Sequence, residues 1–186
     1  MEAGLVSNEV LAYLALLAVL GLWMLGAHNR VTALRAAVLA AWAPVDQALG
    51  LRGQALAKVL AAAAEPLASE GAALEAVAQA QAQVAAAQDL VRRRPVMQQA
   101  VADLSKADAV LAAVMVRLLS LMDQHPALRA DDSVRQSLAQ LKEVPAQLAF
   151  ARQMFNQAGA AYNEATRQFP TRLLRSVLRF GDAGRL

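Results

Sequence analysis

The hydrophobic pattern begins with an unbroken run. From Val10 to Ala27, VLAYLALLAVLGLWMLGA contains no charged side chain. As a helix its about 18 residues extend roughly 27 Å, close to the ~30 Å hydrocarbon core of a bilayer. Tyr13 and Trp23 lie toward its two ends, where amphipathic rings favour the headgroup level. A transmembrane helix is expected over residues 10–29, after a short extracytoplasmic stretch at 1–9. A cleaved signal peptide would need a basic leader and a small residue at position 25 to pair with Ala27. The chain instead carries Glu2, Glu9 and Leu25, with no Lys or Arg ahead of the run.

After the run the apolar positions become periodic. Val31, Leu34, Val38, Leu39, Trp42, Val45, Leu49, Leu56, Val59 and Leu60 recur at helical spacing. This predicts a first long helix, continuous with the span. Glu65-Pro66 and Gly71 predict its break, since proline disfavours α geometry at the preceding residue and glycine weakens a helix. A second helix is expected from about Leu67 to Val91, through the alanine- and glutamine-rich AVAQAQAQVAAAQ, read as high helix propensity with close packing. Arg92-Arg93-Arg94-Pro95 interrupts the pattern. A third helix then runs from about Pro95 to Asp123 with Val101, Leu104, Val110, Leu111, Val114, Leu118 and Leu121 on its apolar side. His125-Pro126 to Asp132 reads as a connection. Asp131-Asp132-Ser133 caps a fourth helix from about Ser133 to Gln168, with a kink expected at Pro145. On that helix Phe155, Tyr162 and Phe169 are spaced by seven residues and share one face, predicting a core-facing stripe, while Asn156 and Asn163 lie one step round it.

The fold class expected is therefore all-α: an N-terminal transmembrane helix, then an antiparallel up-down four-helix bundle with coiled-coil-like packing over residues 30–170, then a short amphipathic helix in a basic tail at 171–186. Four alternating helices return the chain to the membrane end. Composition agrees with this class, since the 58% hydrophobic content of the 186 residues comes mainly from Ala, Leu and Val. With no cysteine, disulfide frameworks and thiolate metal sites are excluded.

Charge adds an orientation. The net charge is only +3, but Arg30 and Arg35 follow the span and only acidic residues precede it. The positive-inside rule then puts residues 30–186 in the cytoplasm and the short N-terminus outside. Up-down parity would bring Arg92, Arg93 and Arg94 and the tail arginines to the membrane end, and leave Glu65, Glu70, Asp123, Asp131 and Asp132 at the far end. In TRLLRSVLRF, Arg172, Arg175 and Arg179 share a helical face beside Leu173, Leu174, Val177 and Phe180, as in helices that lie on an anionic leaflet. A fifth helix capping the bundle, with its arginines solvated, is the competing reading.

One stretch resembles a family. LAFARQMFNQAGAAYNEATRQFP, from Leu148 to Pro170, is similar to the signature of the LemA family: an alanine-arginine pair, two aromatic-asparagine dipeptides and a final phenylalanine-proline. AWAPVDQALGLR, with Trp42, Val45, Asp46, Leu49 and Arg52, resembles the family's block after its anchor. His125-Pro126-Ala127-Leu128-Arg129-Ala130 resembles the block before its last helix, and Glu70 falls where the family carries a glutamate. The chain departs from the family pattern at Ala57, Gln81, His125 and Pro145. The resemblance implies a single membrane helix and an antiparallel helical bundle, with no established catalytic activity.

Candidate chemistry is sparse. If residues of the first and fourth helices at one level have numbers summing to about 199, Asp46 faces Arg152 and Asn156, a polar set suited to fixing helix register. A ligand-binding pocket between helices is the alternative. His28 and His125 lack a second ligand at metal-binding spacing, Asp131-Asp132 fits a helix cap, and Gly50, Gly53 and Gly71 make no phosphate loop. No catalytic residue, cofactor or metal site is expected, and nucleic acid is not an expected partner. The function expected is a non-catalytic membrane-anchored scaffold or interaction module, with lipid and an unidentified protein as partners and self-association left open. The alternative is a small-ligand binder, or an accessory component of a membrane enzyme or envelope-stress system, with a site inside the bundle.

Overall fold

The structure is a computed structural model that describes residues 2–169 and 181–186, with side chains from residue 8 onward. The described residues form five α-helices and no strand: α1 (Glu2–Ala63), α2 (Gly71–Arg93), α3 (Gln98–Asp123), α4 (Pro126–Ala130) and α5 (Asp132–Arg167). A 3₁₀ turn, Ala68–Glu70, precedes α2.

α1 runs unbroken through the apolar segment and into the packed region. Nothing between Ala27 and Arg30 interrupts the helical hydrogen bonds, and Pro44 is accommodated inside α1 with the loss of one donor. The helix ends at Ala63, ahead of Pro66, where the sequence predicts its break. Its apolar half and its packed half are different surfaces. Val10, Leu11, Tyr13, Leu14, Leu17, Val19 and Leu22 are all exposed. The 56 residues from Asn8 to Ala63 include an 18-residue window with a mean hydropathy of 2.3, of which 6% is buried, so this is a candidate membrane-spanning helix rather than the core helix of a folded domain.

From Val31 onward the burial follows two heptad series. Val31, Val38, Val45, Arg52 and Val59 form one, and Trp42, Leu49, Leu56 and Ala63 the other. α5 repeats the pattern with Val134, Leu141, Leu148, Phe155 and Tyr162 beside Ser137, Val144 and Ala151. Seven-residue spacing keeps one seam facing a partner over many turns, and α1 and α5 pack along each other. Trp42 meets Phe155 edge-on at 5.8 Å, Arg30 donates to Gln168 at 3.3 Å, and Trp23 meets Phe169 at 4.9 Å. α2 packs mainly along α3 and more lightly on α1.

Several expectations change in detail. The 125–132 connection contains the short helix α4, with Pro126 at its start. At Pro145 nothing changes: α5 is unbroken there, as expected of a proline that kinks a helix without ending it. Val110 and Leu39, expected on apolar faces, are exposed, because the heptad seams pass through Leu111 and Val38 instead. Phe155 and Tyr162 are fully buried, but Phe169 is not part of their stripe: it is 66% exposed and rests on Trp23. The reason is local. α5 ends at Arg167, and Gln168 is extended, so Phe169 leaves the helical face that the spacing assumed. Pro170, Arg172, Arg175, Arg179 and the expected amphipathic helix lie outside the described residues.

Candidate functional site

Three polar constellations interrupt the apolar packing. The first sits on the heptad seams themselves. Arg52 of α1 and Asp108 of α3 both occupy core positions, Asp108 between Leu104 and Leu111. Asp108 receives a guanidinium N–H from Arg52 on Oδ1 and one from Arg152 of α5 on Oδ2, the latter at 2.5 Å. One carboxylate thus ties three helices together. The side chains of Arg52 and Asp108 are 9% and 11% exposed, that of Arg152 31%. Burial pushes the Asp108 carboxyl up, but the Arg52 and Arg152 guanidinium groups beside it outweigh burial and hold it below the usual carboxylate range. The Nε atoms of Arg52 and Arg152 have no partner among the described residues. Beside the triad is a cleft of about 330 Å³ with Met115, Leu141, Val144 and Leu148 among its walls.

The second constellation fastens α1 to α2. Gln88 is buried and donates to the Asp46 carbonyl at 3.0 Å and to Asp46 Oδ1 at 2.8 Å. Arg92 adds N–H donors to both carboxylate oxygens, at 2.9 and 3.2 Å, and also pairs with Asp89. Asp46 raises the Arg92 pKa further above its already high value, so this cation is permanent.

The third lies at Asn156 and Asn163 on α5, which bind residues 181–186. The Asn163 amide donates to the Ala183 carbonyl at 3.0 Å and accepts the Ala183 N–H at 2.7 Å. Asn156 repeats this with Leu186, at 2.7 and 2.8 Å. Each side-chain amide therefore satisfies both main-chain groups of one residue. Between the two gripped residues, Gly184 lies against Val101 and Gln98 of α3, and Arg167 pairs with Asp182 at 3.3 Å.

These geometries correct the expected pairings. Asp46 does not face Arg152 or Asn156: it binds α2, while Arg152 turns to Asp108 and Asn156 to Leu186. The level was right and the face was not, since Asp46 is one step round α1 from the buried Val45. Nor does the Arg92–Arg94 turn lie beside the apolar half of α1, where parity would bring it. Arg92 is level with Asp46, and at helical rise Asp46 is about 24 Å along α1 from Arg30. α2 is too short to return to the span, so Arg92, Arg93 and Arg94 are exposed well away from it.

Asp108, Gln88 and Ala183 are the residues that sequence reading passed over. Asp108 had a signal, a carboxylate at a core heptad position. The others had none, because what Gln88 and Ala183 bind depends on which helices become neighbours. Asp131 accepts the Ser133 and Val134 N–H groups at 2.8 and 3.1 Å as the expected cap of α5. Backbone donation from Val134 and Ser133 holds its carboxyl below the usual range. His125 Nδ1 lies 2.9 Å from the Leu121 carbonyl at the end of α3, a structural contact.

No curated protein matches the sequence. The pattern of the LemA family matches residues 41–185, a span that takes in Trp42, Asp46, Arg52, Asp108, Arg152 and both tail-binding asparagines; the chain belongs to the LemA family.

Proposed function

We propose that the protein is a non-catalytic, single-pass interaction module of the bacterial inner membrane, anchored by the first half of α1 and presenting residues 30–186 to the cytoplasm as an antiparallel up-down bundle. The observation that carries this reading is the division of α1. One uninterrupted helix has an apolar sheath exposed on all sides up to Leu25, then a heptad seam buried from Val31. A sheath of that size has no counterpart on a soluble monomer, and a bilayer would cover it. The contacts of Trp23 with Phe169 and Arg30 with Gln168 favour a span retained in the folded protein, since removal up to Ala27 would delete half of the first pair. They also favour an α5 that runs back toward the membrane. Arg30 and Arg35 just past the span support the orientation.

The functional centre in this reading is the packed surface, not a reactive group. Asp108 holds α1, α3 and α5 in one register and Asp46 holds α2 to α1, both as structural ion pairs. Anionic lipid is a partner through the basic tail, and an unidentified protein through the bundle. Alkaline carbonate extraction of membranes tests the anchor: the full chain should remain in the pellet and a chain lacking residues 1–29 should appear in the wash. Release of the full chain would overturn the reading.

A specific observation favours one alternative, a small-ligand binder. The cleft beside Arg52 and Arg152 joins apolar walls to guanidinium groups with unpartnered Nε atoms, which suits an amphiphilic anion. A thermal-shift screen of medium-chain fatty acids with wild type and Arg152→Met separates the two: an upward shift lost in the variant supports the binder.

A further inference from the structure

We infer that Asn156 and Asn163, with the start of α3, form a peptide-binding groove that reads the main chain of an extended segment, and that residues 181–186 are its resident ligand. The inference gives the interaction module a ligand class and rests on that reading.

The spacings of groove and ligand agree. Asn156 and Asn163 are two near-full helical turns apart, about 10.5 Å along α5. The residues they grip, Ala183 and Leu186, are three apart, and three extended residues cover about 10 Å. A heptad on the helix therefore matches every third residue of an extended chain. Each asparagine presents a donor and an acceptor, the pair that a neighbouring β-strand would present, so recognition at these points is independent of the ligand's side chains. This explains why asparagine rather than aspartate or leucine follows each aromatic: Phe155 and Tyr162 anchor the helix in the core, and the next position faces the groove.

Selectivity comes from the floor. Ala183 is buried against α5, where a Cβ placed on Gly159 would lie in ordinary van der Waals contact, 3.5 Å from the Ala183 Cβ, so a small residue fits there. At the next position even a methyl group is refused. A Cβ on Gly184 would lie 2.6 Å from the Val101 Cβ and 3.1 Å from the Gln98 Cα, and neither the backbone nor a β-branched side chain can turn away. Arg185 is exposed and unrestricted, and Leu186 packs against the core. The ligand class is an extended peptide of the form small residue, glycine, any residue, apolar residue. Open groove of about 620 Å³ continues beside the bound segment along Arg152, Gln153 and Gln157.

The chain has no cysteine, which makes disulfide trapping selective. In full-length protein in detergent micelles, Gly159→Cys with Ala183→Cys brings two thiols to a Cβ separation that a disulfide spans. Mild oxidation should give an intramolecular disulfide, read by intact mass. A mixture of the two single variants that yields covalent dimer instead would support the same groove filled by a second copy. For the ligand, Gly184→Val should expel the resident segment without altering the groove. Added to full-length Gly159→Cys carrying Gly184→Val, a peptide of residues 181–186 with cysteine in place of Ala183 should be trapped at least tenfold faster than the same peptide with valine in place of Gly184. Asn163→Asp, which removes one donor, should slow trapping of the first peptide tenfold. Equal trapping of the two peptides, or no disulfide in any arrangement, would overturn the groove. Carbonate extraction of the same variants reads the membrane anchor independently, so failure of the groove and failure of the module are distinguishable.

Discussion

Asp108→Ala should be among the most damaging single substitutions in the packed region. The variant leaves two guanidinium groups facing a site built for one carboxylate. Arg152, 31% exposed, can swing toward water, but Arg52 is only 9% exposed and is enclosed by the α1 seam. Removing one partner of a buried ion pair costs about 3–5 kcal/mol, and the partial relief available to Arg152 points to the lower end, about 3 kcal/mol. For a chain of this size that is a fall of about 6–12 °C in Tm, measured by circular dichroism of the full chain in detergent micelles. The double variant Asp108→Leu with Arg52→Met replaces the pair by apolar volume and should return to within about 1 kcal/mol of wild type. The pH dependence has a defined sign. Asp108 titrates below its unfolded value of about 3.9, so its contribution is fully present above that value and is lost as pH falls through the folded pKa. Wild type and Asp108→Ala should therefore differ by a constant amount from pH 5 to 8, and converge below about pH 4. A single variant within 1 kcal/mol of wild type at pH 7, or a difference that grows on acidification, would refute the argument.

The remaining predictions follow from burial. Phe155→Ala, which empties the space against Trp42, should cost about 3–5 kcal/mol in the same assay, whereas Phe169→Ala, at an exposed ring, should cost under about 1 kcal/mol. Asp131→Ala removes the cap of α5 and should lower the urea midpoint, whereas Asp131→Asn, which keeps an acceptor for the Ser133 and Val134 N–H groups, should largely preserve it. Arg92→Ala should leave the urea midpoint nearly unchanged, because its side chain is exposed and the ion pair is screened by solvent. Gly184→Ala should strip hydrogen-exchange protection from the Ala183 and Leu186 amides while leaving Val45 and Leu148 protected.

What could be read from the sequence was whatever depends on one helix at a time. The apolar run, the break before Pro66, the Asp131 cap and the burial of Phe155 and Tyr162 are local consequences of charge, capping and period. The level of α5 against α1 was also legible, because uniform helical rise converts boundaries into a sum near 199, and the Arg30–Gln168 and Trp42–Phe155 contacts fall within two of it. The face was not legible. Asp46 and Arg152 each lie one step from a core position, Val45 and Ala151, and that step turns them toward α2 and α3 instead of each other. The placement of Arg92 failed for a different reason: up-down parity fixes only the direction in which α2 runs, and α2 is too short to cover the packed part of α1. The grip of Asn156 and Asn163 on residues 181–186 depends on a return of the chain that no periodicity encodes.

The central claim is that α1 crosses a membrane and holds the packed helices on one side. With no native cysteine, Asn8→Cys and Lys106→Cys can be labelled separately in intact cells by a membrane-impermeant maleimide. The account predicts that Asn8→Cys reacts from outside, and that Lys106→Cys reacts only after the inner membrane is permeabilised. Equal labelling of both positions from the same side would contradict it.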